Sequence, residues 1–227
     1  MKGKLIGLVS GLLLLGCALF GIIEKQTYTH YVKEAEPLAH FEVVIFSEDD
    51  YPCSELLTDD DEYIESIFDE SEFVFKGKAI GDLQLEFNET SQLFQVEKVF
   101  RGEKLEEGEI IRILYAPIVF PEGQSPILSL NYTNIAKDGD EYLIFTDAFE
   151  GEMNSDQDGR RVFRTTTKTI NPIYAYHPGD SRPMSEMGYD KGVVFYGDVK
   201  DNEYFAATPK ALEALNRHRE KMIQKFQ

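Results

Sequence analysis

Residues 72–102 have the sequence EFVFKGKAIGDLQLEFNETSQLFQVEKVFRG. Leu83, Leu85 and Phe87 alternate with polar residues, which is the period of a strand with one buried face. Residues 88–91 are turn-forming and separate two runs rich in β-branched and aromatic side chains. The stretch therefore predicts neighbouring antiparallel strands on either side of a turn.

Further β segments follow the same pattern. We predict strands at residues 41–46, 110–115, 141–146, 162–169 and 193–199, with a proline-bearing loop across Pro117, Pro121 and Pro126. Antiparallel strands at this spacing are typical of a small barrel or sandwich. The predicted fold class is mainly β (α+β).

An acidic stretch precedes the first long strand. Residues 48–72 hold twelve Asp and Glu and no Lys or Arg. Thr58 can cap a helix whose first turn is acidic, and Tyr63, Ile64 and Ile67 then share one face. We expect a short helix packed on a sheet, with the acids either solvated or facing a cation or a basic partner.

A second helix is predicted at the other end of the sequence. Thr208 can cap it, and Pro209 suits its first turn. Its apolar stripe consists of Leu212, Leu215, Met222, Ile223 and Phe226. The stripe predicts a helix that docks on the barrel or, alternatively, recruits a partner.

The first 25 residues predict a membrane anchor. Leu5 to Ile23 are 19 uncharged residues that follow Lys2 and Lys4, long enough as a helix to span about 28 Å. The lysines place the N-terminus in the cytoplasm and residues 24–227 outside, in a single-pass cell-membrane protein.

Lipidation and cleavage of this run are two alternatives to a permanent anchor, and the run also contains a spacing typical of membrane-helix dimers. Leu14-Leu15-Gly16-Cys17 resembles a lipobox, so a lipid on Cys17 could replace the anchor, and a cleaved signal peptide is the other alternative. Gly7 and Gly11 have the spacing that brings two membrane helices together as a dimer, although glycine is common in such helices.

The predicted organisation is an anchor at 1–25, a stalk at 26–40, a β ectodomain at 41–207 and a helix at 208–227. Removing Lys2 and Lys4 from 23 basic residues leaves 21 against 41 acids, so the ectodomain carries a net charge of −20. This charge excludes nucleic acid as a partner. The two cysteines lie in different compartments, which is ordinary for a bacterial exported protein.

Several segments occur in a familiar order. They are Pro52-Cys53-Ser54, a short helix, Phe73 to Lys78, Phe94 to Gly102, and Gly139 to Phe145. This order, over residues 52–147, resembles the bacterial relatives of the tissue inhibitor of metalloproteinases, the netrin-like modules. The resemblance implies an oligonucleotide/oligosaccharide-binding (OB) barrel and a binding module. Cys53 is internal and lacks a neighbouring cysteine, so the resemblance does not carry the inhibitory mechanism.

Candidate sites are few. Asn154, Asp156 and Asp158 alternate before Gly159, as in a calcium loop, but the twelfth position is Thr165, so a polar hairpin turn is the alternative. The four histidines have no metal-ligand spacing. Residues 177–183 form a polar loop near Tyr174, Tyr176 and Tyr189, either a ligand surface or ordinary strand residues.

No catalytic motif is present in the sequence, and no cofactor other than calcium is indicated. We therefore expect a membrane-tethered extracytoplasmic binding module, with a protein or another cell-envelope component as its partner. The alternatives are an exported hydrolase with an unrecognised site and a protease-inhibitor-like protein.

Overall fold

The computed structural model describes residues 17, 38–45, 61–86, 89–119, 127–128, 130, 132–148, 155–169, 171–189 and 192–227. Within these ranges the chain is mainly β, as predicted. The elements are β1 (Glu42–Ile45), α1 (Asp61–Glu70), β2 (Phe73–Glu86), β3 (Glu89–Arg101), β4 (Ile110–Val119), β5 (Ile127–Leu128), β6 (Glu141–Ala148), β7 (Val162–Thr165), β8 (Ile173–Ala175), a 3-10 turn (Met184–Met187), β9 (Gly192–Phe195), α2 (Tyr196–Val199) and α3 (Pro209–Lys225).

Five strands close into a β-barrel. They follow one another in the order β3-β2-β6-β7-β4, and β4 pairs again with β3 to complete the ring. The β4–β7 pair is parallel and the other four pairs are antiparallel. Since β6 returns to lie beside β2, the strands β6-β2-β3-β4 form a Greek key.

Large apolar side chains from every strand fill the barrel. Phe75, Phe94, Ile111, Ile144 and Phe163 come from β2, β3, β4, β6 and β7 respectively, and each is at most 3% exposed. Each such side chain stabilises the fold by about 1.5–3 kcal/mol relative to an exposed one. The register of the strands is thus fixed by which residues face inward.

The outer wall formed by β2 and β6 is also covered. Leu143 and Phe145 face outward from β6 and pack in one cluster with Ile67 of α1 and Met222 of α3. Both faces of β6 are therefore buried. This explains why residues 142–145 are all apolar, where a strand with one solvated face would alternate.

Helix α3 begins where the sequence predicts. The hydroxyl of Thr208 accepts a hydrogen bond from the N–H of Ala211 at 3.2 Å, and Pro209 is the first helical residue. Ile223 and Phe226 are buried in the cluster that covers the barrel wall. Docking of this helix on the barrel is confirmed.

The acidic helix α1 has basic neighbours within the chain. The Lys221 ammonium lies 3.6 Å from an oxygen of Asp61, and Lys225 pairs with Glu65. Both lysines belong to α3, so the two helices that cover the barrel also complement each other in charge. As exposed pairs they add little free energy, about 0–1 kcal/mol each.

A second, smaller sheet grows from the far end of β4. There β5 pairs with β4, β1 pairs parallel with β5, and β9 pairs with β1. Pro117 lies in β4 opposite Glu89, at the last pair of β4 with β3, where a missing N–H is tolerated. The expected loop across this proline is therefore strand at Pro117.

The strand predicted at residues 193–199 is strand only to Phe195. The chain then turns into α2, and Val199 becomes buried in the cluster under the second sheet. A Cβ at position 197 would lie only 3.0 Å from the Cβ of Ala39, so the absence of a side chain at Gly197 permits this turn. Tertiary packing thus overrides the β propensity of this segment.

Most of the predicted N-terminal anchor lies outside the described residues. Cys17 is helical and exposed, whereas the rest of 5–23, including Gly7 and Gly11, and stalk residues 26–37 are not described. No helix in the described ranges is both long and apolar enough to cross a membrane.

Candidate functional site

A buried arginine on the outer surface of the barrel is the centre of the candidate site. In β4, Ile111 and Ile113 face the barrel interior, so the intervening Arg112 faces outward. Its side chain is nevertheless only 8% exposed. A guanidinium this buried requires hydrogen-bonding partners around it.

The partners of Arg112 come from three different segments. Its Nη1 donates to Oε1 of Gln84 in β2 at 2.6 Å and to the hydroxyl of Ser91 in β3 at 3.0 Å. Its Nε donates to Oδ2 of Asp156 at 3.1 Å. Asp156 lies between β6 and β7, so the guanidinium fastens this connection to the β2–β3–β4 wall.

The carboxylate of Asp156 organises its own turn as well. Its Oδ1 accepts the backbone N–H groups of Asp158 and Arg160, both at 2.9 Å. Burial alone raises the pKa of Asp156, but these N–H groups and the guanidinium of Arg112 outweigh it and lower the pKa. The carboxylate is therefore held ionised beside Arg112.

This turn contains the residues of the predicted calcium loop. Asn154 lies outside the described residues. Asp156 is occupied by Arg112 and its own turn, while the exposed Asp158 contacts Arg160 at 2.6 Å. In the part of the chain that is described, no three His, Cys, Asp or Glu side chains are grouped to hold a metal. Calcium binding stays a prediction.

A second ion pair reinforces the same end of β7. Arg161 donates from Nε to Oε1 of Glu109 at 2.7 Å and from Nη2 to the carbonyl of Lys104 at 2.7 Å. The hydrogen bond from Arg161 lowers the pKa of the Glu109 carboxyl. The connection between β6 and β7 is thus attached at both Arg112 and Arg161.

The surface next to these pairs is open. Gln95 of β3 is exposed, and Ile110, which lies opposite it in β4, is 41% exposed. Helices α1 and α3 cover the β2–β6 wall on the other side of the barrel. In the described part of the chain, the β3–β4 wall therefore has apolar and polar groups available to a ligand, beside a fixed loop.

A buried acid lies at the polar loop of residues 177–183. Glu203 is 4% exposed, and its Oε2 lies 3.8 Å from the ammonium of Lys137 and 3.4 Å from the N–H of Gly179. Burial raises the pKa of this carboxyl, although Lys137 and Gly179 oppose the shift. The hydroxyl of Ser181 accepts the N–H groups of Glu203 and Tyr204. The loop is therefore braced against residues 203–204.

The tyrosines near this loop are buried or half-buried, and a ligand surface at residues 177–183 stays a prediction. Tyr174 is completely buried, and its hydroxyl lies 3.1 Å from Nε2 of His218. Tyr176 donates its hydroxyl to the carbonyl of Phe226 at 2.8 Å, and burial raises the pKa of this phenol to about 12. Tyr189 is half-buried against the cluster around Met184. Two of the three tyrosines thus join α3 to β8 and the segment after it.

Sequence reasoning overlooked Arg112 and Glu203. Arg112 had a signal: it interrupts the apolar residues 110–114, and a charge facing away from a strand's buried side must find a partner or solvent. Glu203 had none, since it follows Asp201 and Asn202 in a segment that has the composition of an exposed loop.

No protein-family model matches this chain, and no curated protein sequence matches it.

Proposed function

We propose that this chain is an extracytoplasmic binding module, built on an OB-type barrel and tethered to the cell membrane through residues 5–23. The closed five-stranded Greek key and the resemblance of residues 52–147 to netrin-like modules support the OB assignment. The expected partner is a protein or another component of the cell envelope. The chain's net charge of −18 argues against nucleic acid.

One observation carries the proposal: the two walls of the barrel differ. The β2–β6 wall is sealed by α1 and α3, whereas Gln95 and Ile110 are exposed on the β3–β4 wall. OB barrels bind ligands on the corresponding strand pair and on the loops at its ends. Arg112 and Asp156 hold one such loop in place, which reduces the entropy lost on binding.

The surface is tested by photocrosslinking in intact cells. A photoreactive phenylalanine analogue at Gln95 should give one discrete crosslinked product, whose yield reaches a plateau as expression of the chain is raised. The same analogue at Gln224, an exposed position on α3, is the matched control. Equal products from both positions, or none from Gln95, would remove the β3–β4 wall as the binding surface.

The tether is tested separately by mass spectrometry of the native chain. An intact Met1 end together with protease-sensitive residues 24–227 on whole cells supports the anchor. A diacylglyceryl group on Cys17 would establish the lipoprotein alternative. Recovery of the chain from the medium with a new N-terminus after residue 23 would instead mean a cleaved signal peptide.

The hydrolase and inhibitor alternatives have no favouring observation among the described residues, and Cys53 lies outside them. A panel of metalloproteases that is not slowed by the purified chain would eliminate the inhibitor.

A further inference from the structure

Strand β9 forms an edge of the second sheet. It pairs with β1 on one side, and no described strand lies on its other side. Edge strands leave a row of backbone N–H and C=O groups unpaired, and such a row can accept an additional strand.

The outward-facing groups of this edge can be identified. Tyr196 donates its N–H to the carbonyl of Phe41 at 2.7 Å across the antiparallel pair. Because hydrogen-bonded positions alternate in such a pair, Val194 faces β1 in the same way. The N–H and C=O groups of Val193 and Phe195 therefore point to the open edge.

The same two residues expose apolar side chains. Val193 is 49% exposed and Phe195 is 48% exposed, and with Ile110 they are the large apolar residues that the described chain leaves most accessible. Both lie on one face of the strand, as alternate residues do. Most globular proteins protect an edge with charge or proline, whereas this one presents two apolar side chains.

A carboxylate lies within this apolar face. Glu42 pairs with Phe195, Val44 pairs with Val193, and Ile127 lies on the other side of Glu42 in β5. Glu42 forms no ion pair with any described residue. A carboxylate between apolar side chains is complementary to a lysine or arginine that is itself flanked by apolar residues.

We propose that the open edge of β9 binds an extended segment of a partner protein, in which a basic residue stands between two apolar ones at alternate positions. The segment would add to the sheet as a further strand. Its backbone would pair with Val193 and Phe195. Its cation would lie opposite Phe195 and reach across this residue to Glu42, and the apolar residue on one side of the cation would cover Val193. This surface is separate from the β3–β4 wall.

A second copy of the chain fits this edge less well. Each copy carries a net charge of −18, so two copies repel each other. Two half-exposed side chains per copy also supply far less area than the roughly 1,200 Å² of a stable interface. A short basic segment avoids the repulsion and needs only the edge itself.

The test uses the purified full chain and two capped peptides. The first peptide alternates threonine with valine, lysine and valine, and the second has glutamate in place of the lysine. We expect the lysine peptide to bind saturably to the wild-type chain in a fluorescence-anisotropy titration. We expect binding of the glutamate peptide to be weaker by about tenfold or more.

Two variants test the backbone and the charge. Val193→Pro removes an outward N–H without removing a bond to β1, and Glu42→Lys reverses the charge. Each should weaken binding of the lysine peptide by about tenfold, and Glu42→Lys should gain affinity for the glutamate peptide. This reversal cannot result from misfolding. Glu213→Lys, which reverses the charge of an exposed residue on α3, is the matched control and should bind as the wild type does.

Three results would overturn the proposal. They are failure of the wild-type chain to bind either peptide, undiminished binding by Val193→Pro, and a wild-type dimer in sedimentation that Val193→Pro abolishes. The last result would assign the edge to a second copy. None of them bears on crosslinking from Gln95, so the two binding surfaces are tested independently.

Discussion

The hydroxyl of Tyr174 in β8 lies 3.1 Å from Nε2 of His218 in α3, and both side chains are at most 1% exposed. This contact fastens the last helix to the barrel through two buried polar groups. Tyr174→Phe keeps the ring but leaves the histidine nitrogen without this partner. We expect the free energy of unfolding to fall by about 1–3 kcal/mol in urea denaturation.

Tyr189→Phe is the matched control for that substitution, because Tyr189 is only half-buried. Its effect should stay within about 0.5 kcal/mol. Equal losses from the two substitutions would mean that the contact between Tyr174 and His218 contributes nothing.

Asp156→Asn should be strongly destabilising. The substitution leaves the guanidinium of Arg112 buried without its counter-charge, which typically costs about 3–5 kcal/mol. The side chain of Asp158 is 65% exposed, so Asp158→Asn should lower the free energy of unfolding by less than about 1 kcal/mol. Guanidinium chloride unfolding of both variants measures the difference. Similar midpoints would show that the ion pair does not hold the loop.

The same pair gives a pH dependence. The pKa of Asp156 is lowered in the folded chain, so its contribution to stability is present above its ordinary pKa and is lost as pH falls through the folded value. The difference in the free energy of unfolding between the wild type and Asp156→Asn should therefore become smaller at acidic pH. The measurement is denaturant unfolding of both proteins at several pH values between about 2 and 7, and a difference that stays constant over this range would contradict the linkage.

Glu203→Gln should show the opposite pH dependence of stability, relative to the wild type. Burial raises the pKa of Glu203, so wild-type stability is greatest below the ordinary pKa of a glutamate and falls as pH rises towards the folded value. Glutamine retains an oxygen for the N–H of Gly179 and carries no charge. We expect the variant to be more stable than wild type at neutral pH and nearly equal at about pH 4. A variant that is less stable at neutral pH would show that the attraction to Lys137 outweighs burial.

Gly102→Ala should disrupt the end of β3. Gly102 has a φ of +119°, and a Cβ there would lie 2.3 Å from Cδ1 of Phe73. Backbone strain and this clash together should cost about 2–4 kcal/mol. Gly108 has a φ of +86°, and nothing lies within 4 Å of a Cβ built there. Gly108→Ala therefore measures the backbone strain without a clash, and should lower the free energy of unfolding by about 1 kcal/mol. Equal melting temperatures for the two variants would contradict the clash with Phe73.

The local part of the fold was accessible from the sequence. The turn-forming residues 88–91 and the period of the flanking runs predict the β2–β3 hairpin, because both signals lie within one short stretch. The predicted turn is wrong over residues 89–91, because β3 begins at Glu89 and these residues are strand. The cap at Thr208 similarly predicts where α3 begins. Each of these features depends on neighbours in the chain and not on distant packing.

The non-local part was not accessible. Nothing in residues 162–165 indicates that β7 pairs parallel with β4, since that choice depends on how the whole barrel closes. The contacts of Arg112 depend in turn on where the closed barrel places Asp156, 44 positions along the chain. Helix α2 replaced strand at residues 196–199 because burial of Val199 outweighs local propensity.

The parallel pairing of β4 with β7 bears on how quickly the molecule folds. Strands β2, β3 and β4 are successive antiparallel neighbours and can assemble from local contacts. Closing the ring requires β7 to reach β4 after the chain has passed through β5 and β6. Because the entropy of closing that loop is lost before the contacts form, we expect folding on a millisecond-to-second scale. Until then the edge of β4 is exposed, so aggregation competes with folding during this interval.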